Sequence, residues 1–178
     1  MRYTCADFGD HPCGFCAGNE RERRLLLILA GDSFAPFRPH LQRLNLDHRV
    51  IVRERVQEVE DYLQVATLTA TASASESFCL SVLEGMMFAV PGVATRVGGI
   101  PEVLTDGAHG LLVDEGDAEA LAAAMARLLA NPAERLAMGR AAAERARSEF
   151  SAHTIVDQYE DVYRRALGLT TAASVSAK

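Results

Sequence analysis

Tryptophan is absent from this chain, and tyrosine and cysteine each occur four times in 178 residues. Four unevenly placed cysteines are too few for a disulfide scaffold. No apolar run approaches the roughly 18 to 20 residues that cross a bilayer. The N-terminal stretch MRYTCADFGDHPC has no apolar signal-peptide core, so a cytoplasmic place is expected. A basic excess is also missing: 18 Lys and Arg against 24 Asp and Glu leave a net charge of −6. That balance argues against a nucleic-acid partner. The basic cluster Arg21, Arg23, Arg24 is diluted by Glu20 and Glu22 and reads as a solvated segment. No G-x-G-x-x-G follows the first apolar run, so the dinucleotide fingerprint is lacking.

Cys5, His11, Cys13 and Cys16 crowd into one short stretch that includes a C-x-x-C. Zinc, a redox pair and an irregular reduced segment are the three readings. The last fits best, because a four-ligand zinc site normally draws on two separated knuckles.

What is present is alternation. Residues 1–24 show no periodicity and read as an irregular N-terminal segment. Leu25 to Ala30 is a continuous apolar run ending at Gly31-Asp32, the pattern of a buried parallel strand. A helix is predicted from Pro36 or Pro39 to Leu44, a strand over 50–52, a helix over 56–66 and a strand over 67–71. A helix capped by Ser77 follows, closed by Val90-Pro91-Gly92. Further strands are predicted over 92–95 and 110–113, with a short helix opened by Gly98-Gly99-Ile100-Pro101 between them. Asp117 caps an alanine-rich helix to Ala130, Asn131-Pro132 starts another to about Phe150, and Ser151 caps a last one to about Leu167. Residues 168–178 are small and polar and read as a disordered tail. Five rounds of strand and helix predict an α/β fold: a Rossmann-like parallel sheet with helices on both faces, and extra C-terminal helices. Residues 25–167 form the domain.

The stretch ESFCLSVLE carries the chemistry. It runs from a strand end into a helix N-terminus, where ligands bind in such sheets. The N–H groups of Ser77, Phe78, Cys79 and Leu80 are expected to lack intrahelical partners and to hold an anion, aided by the helix dipole. Leu80, Leu83 and Met87 share helical spacing and predict one buried face, with Glu84 on it. Burying an unpaired carboxylate costs several kcal/mol, roughly, so Glu84 needs a partner. Two answers stand. Glu76 and Glu84 flank an anion site and accept the hydroxyls of a sugar, or Glu76 caps the helix and Glu84 pairs with an arginine such as Arg96.

The stretch ASESFCLSVLEGMMFAVPGVATRVGGIPEVLTDGAHGLLVDEGD resembles the C-terminal, donor-binding half of family 4 glycosyltransferases of the GT-B fold. The E-x7-E motif, a V-P run, a T-x-x-GG-x-P-E run and a G-x-L-x-x-x-x-D run occur in the family's order, and the likeness extends from about Leu25 to about Ala166. The runs TRVGGIPEV and VDQYEDVYRR look most like bacterial N-acetylglucosaminyl L-malate synthases, which open bacillithiol synthesis from UDP-N-acetylglucosamine and L-malate. The resemblance implies a single half of a GT-B fold and a retaining transfer from a UDP-sugar with no cofactor and no essential metal. It assigns the transferred sugar to Glu76, the catalytic candidate, and the ribose to Glu84. The diphosphate falls to the amides that follow the Ser77-Phe78 step, on Cys79 and Leu80.

Three departures stand against the pattern. Cys79 occupies the family's glycine position, and Gly85 and Phe88-Ala89 replace an alanine and a Cys-Gly-like pair. The family's Arg and Lys ahead of the first strand have no match in residues 1–24. An acceptor half has no counterpart either, the pattern of a truncated or shifted reading frame. The expected partners are therefore a nucleotide-sugar donor and either a separate acceptor-domain chain or a second copy at the open cleft face. A non-catalytic module of the same fold is the rival. His11, His40, His48, His109 and His153 read as surface or turn residues.

Overall fold

The computed structural model describes residues 27–31, 38–46 and 49–169. The expectations for residues 1–24, for Cys5, His11, Cys13 and Cys16, for the arginine cluster and for the tail from 170 lie outside the described residues. The chain divides into two compact units, Met1–Ala143 and Glu144–Lys178.

In the first unit strands and helices alternate. β1 (Leu27–Gly31) precedes α1 (Arg38–Arg43), β2 (Val50–Glu54), α2 (Val59–Leu63) and β3 (Thr69–Thr71). Then come α3 (Leu80–Met87), β4 (Gly92–Thr95), α4 (Ile100–Val103), β5 (Gly110–Val113), α5 (Ala118–Ala130) and α6 (Pro132–Glu149). All strand pairings are parallel. One five-stranded sheet is the sequence expectation. The described strands instead form two ladders, β1-β2 and β3-β4-β5. In a doubly wound sheet of order 3-2-1-4-5-6, the described strands take the places of 2 to 6, which gives one pair and one triplet.

Every residue of β4 and β5 is buried, which suits their continuous apolar sequence. Side chains alternate between the two faces. Val93, Leu111 and Val113 pack with Leu121 and Leu128 of α5 and Met138 of α6. On the opposite face Gly92 lies under Leu104 and Val82, so that α3 and the end of α4 cover it. Helices thus line both faces of this sheet. Met86, Ile100, Leu104 and Leu128 are fully buried, each worth about 1.5–3 kcal/mol of transfer energy. The cap predicted at Asp117 is formed: its carboxylate accepts from the Ala120 N–H at 2.8 Å.

The second unit carries the end of α6 and α7 (Ala152–Ala166). Ser151 caps α7 by accepting from the Thr154 N–H at 3.2 Å. No residue of α7 is buried. No helix of the described residues is long and apolar enough to cross a membrane.

Candidate functional site

The site lies beyond the carboxyl end of β3, where residues 72–79 lead into α3. The helix starts later than its sequence predicts. Ser77 is not the cap; Cys79 is, and its φ of 67° puts it in the left-handed region. The first bonds of the turn run from the Val82 and Leu83 N–H groups to the Cys79 carbonyl. The amides that face out of this helix end are therefore those of Leu80 and Ser81. A left-handed residue ahead of the helix is a conformation that glycine takes without strain. Here a cysteine takes that conformation with its side chain buried.

The buried face of α3 differs as well. Ser81, Val82, Gly85 and Met86 point inward. Leu80 is 55% exposed, and Leu83, Glu84 and Met87 are half-buried. LSVLEGMM is apolar nearly all round, so spacing permits two faces and the packing against β3 and β4 selects one. Glu84 thus stands off the buried face of the helix, itself half-buried. Arg96 does not serve it: its guanidinium lies 2.7 Å from Asp106, with both side chains substantially exposed.

Glu76 is half-buried and accepts at 2.7 Å from the hydroxyl of Ser73. Its own carbonyl accepts at 3.2 Å from the Gly99 N–H. Gly98 has φ +49°, and a Cβ there would stand 1.7 Å from the Glu76 carbonyl oxygen; one on Gly99 would stand 2.2 Å from that of Ser77. Only glycines allow the 98–99 turn to lie against the 76–78 backbone. Residue patterns had placed these glycines at a helix start, not in the site. Ser73, two residues past β3, and Thr95, at the end of β4, were missed; a serine three residues ahead of Glu76 is the signal that was available.

Cys79 links the two glutamates. Burial is the largest influence on its thiol and raises its pKa, while hydrogen bonds from Ser81 and Val82 oppose the rise. The carboxylates of Glu76 and Glu84 both push in the same direction as burial, so both fields reach the sulfur. The thiol stays protonated at neutral pH, an inert group and not a nucleophile. Ser77 is exposed and Phe78 half-buried in the loop that leads into α3.

The model for glycosyl transferases group 1 matches residues 17–131. The chain belongs to that family. It is 35% identical over 144 residues to N-acetyl-alpha-D-glucosaminyl L-malate synthase of Bacillus anthracis, covering 81% of this chain and 38% of that protein. Among solved structures it is similar to sucrose-phosphate synthase of Thermosynechococcus elongatus, with a TM-score of 0.74, 29% identity and coverage of 83% of this chain and 39% of that one. The Anabaena protein HepE, solved in complex with UDP, matches with a TM-score of 0.74 at 24% identity over 78% of this chain and 40% of its own. The expected fold, one Rossmann-like half of a GT-B glycosyltransferase, is the fold found. The chain spans about two fifths of the length of these relatives.

Proposed function

We propose that this glycosyltransferase-family chain binds a UDP-sugar, with UDP-N-acetylglucosamine as the donor and L-malate as the acceptor of the whole reaction. The observation that carries the reading is Glu76 on the loop that leaves β3, its carboxylate held by the Ser73 hydroxyl, followed by Glu84 on α3 off that helix's buried face. Glu84 accepts the ribose hydroxyls and Glu76 a hydroxyl of the transferred sugar; a carboxylate has the lone pairs to take both donors of a diol. The diphosphate lies at the start of α3, against the amides of Leu80 and Ser81, where the helix dipole favours negative charge. Charge that builds on the departing UDP is then met by fixed dipoles. The named activity of the Bacillus anthracis relative supports the sugar and the acceptor, and the UDP held by HepE supports the nucleotide.

A second reading, a fold-mate that has ceased to bind a donor, draws on Cys79. Its side chain stands where close approach of a phosphate favours glycine. Thermal unfolding with UDP, UDP-N-acetylglucosamine, GDP and NAD separates the readings. At an affinity of about 100 μM, about 5 mM UDP raises stability by ~2.3 kcal/mol, several degrees in Tm. The expected result is a shift with the UDP ligands alone, lost in Glu84→Ala. A folded chain that no nucleotide shifts sinks the donor-site reading.

A further inference from the structure

Ser73 belongs to none of the roles assigned above, yet it joins two elements at the site. Ser73 is 6% exposed and Thr95 3% exposed. The Thr95 hydroxyl donates to the Ser73 carbonyl at 2.6 Å, and the Ser73 hydroxyl donates to Oε1 of Glu76 at 2.7 Å. The Glu76 backbone is fixed separately, by the Gly99 N–H on its carbonyl. The end of β4 thus holds Ser73, and Ser73 holds the carboxylate.

We infer that Ser73, itself anchored by Thr95, is a positioning residue that orients the Glu76 carboxylate toward the transferred sugar. A glutamate side chain on a half-buried loop has three rotatable bonds, and ordering them on binding weakens affinity. A buried hydroxyl that already occupies one oxygen removes that freedom in advance. It also leaves the second oxygen's lone pairs for the ligand. The hydroxyl proton is already donated to Oε1 of Glu76, so the effect of Ser73 passes through that carboxylate. The inference rests on the donor-site reading and adds to it a residue that sets sugar recognition apart from nucleotide recognition.

The test is calorimetric titration of the full chain with UDP and with UDP-N-acetylglucosamine. Wild type is compared with Ser73→Ala, Ser73→Thr, Glu76→Gln and the double variant Ser73→Ala/Glu76→Gln. Ser73→Ala is expected to keep its UDP Kd within about twofold. The ratio of the UDP-N-acetylglucosamine Kd to the UDP Kd should rise on the order of tenfold, the weight of a charge-assisted hydrogen bond. Ser73→Thr, which keeps the hydroxyl, restores the wild-type ratio. The double variant is no weaker than Glu76→Gln alone, because both changes remove one interaction. A ratio unmoved by Ser73→Ala but moved by Glu76→Gln overturns the inference and leaves the donor site standing. Parallel loss of both ligands in Ser73→Ala also overturns it, since the serine would then hold the whole loop. Absence of binding by the wild type removes the donor-site reading itself, and this inference with it.

Discussion

At Cys79 two requirements meet in one residue. The turn into α3 needs a left-handed conformation, with φ 67°, which costs a non-glycine residue roughly 1–2 kcal/mol. The same residue buries a thiol, worth about 1 kcal/mol. Cys79→Gly exchanges one for the other, so its stability in urea should stay within about 1 kcal/mol of wild type. With no Cβ at the helix entrance, UDP should bind severalfold more tightly by titration. The raised pKa carries its own sign. A thiol whose folded pKa lies above its unfolded one contributes stability at pH below the unfolded value, about 8.5, and loses it as pH rises through the folded value. Native Cys79 should therefore resist alkylation at pH 7, as peptide mapping with and without denaturant will read. The proposal of Glu76, Glu84 and Cys79 as site residues came from the residues themselves, because charge and spacing are written there. The αL conformation of Cys79 was not legible in them, because it arises where a strand end must be joined to a helix of fixed direction.

Among the elements, α3 shows where periodicity stops deciding. Its apolar residues satisfy helical spacing on two faces, and only packing against β4 tells Val82 and Met86 from Leu80, Leu83 and Met87. Where capping chemistry is unambiguous, sequence and structure coincide, as at Asp117 and Ser151. Asp117→Ala should lower stability by about 1 kcal/mol in chemical denaturation, without altering UDP affinity. The 98–99 turn is less tolerant. Gly98→Ala places a Cβ against the Glu76 carbonyl at a positive φ. It should cost more than about 2 kcal/mol or abolish nucleotide binding. Asp106 ties the loop before β5 to Arg96. Burial raises its pKa, but the Leu112 amide and the Arg96 guanidinium outweigh that and hold the carboxyl below its ordinary range. A depressed carboxyl contributes stability above its unfolded pKa, about 3.9, and loses it as pH falls through the folded value. Asp106→Asn should thus be weaker by about 0.5–1 kcal/mol at pH 7, the figure reduced for solvent screening. It should approach the wild type as the pH drops below about 4, as denaturation curves across pH will show.

On the scale of the molecule, stability is unevenly spread. The first unit encloses a continuous apolar cluster around β4 and β5. In the second unit α7 buries no residue and leaves Val156, Tyr159, Val162 and Tyr163 more than half exposed. Amides of α7 should exchange with deuterium much faster than those of α5, whose opening requires loss of the core. The split of the described strands into two ladders belongs to the same scale. Each strand's apolar pattern called for a sheet, but no strand's own residues state which neighbour it will have.

The sequence by itself determined the order of strands and helices, the caps at Asp117 and Ser151, and the family, and it proposed the two glutamates of the site. These are local or patterned features, set by propensity, hydrogen-bonding side chains and spacing. The tertiary structure alone decided that Glu84 stands off the buried face of α3, that Cys79 takes a left-handed turn, that Ser73 and Thr95 stand behind Glu76, and that the strands pair as two and three. Each of these depends on segments far apart in the chain, and long-range packing chooses among arrangements that local residues leave equally open.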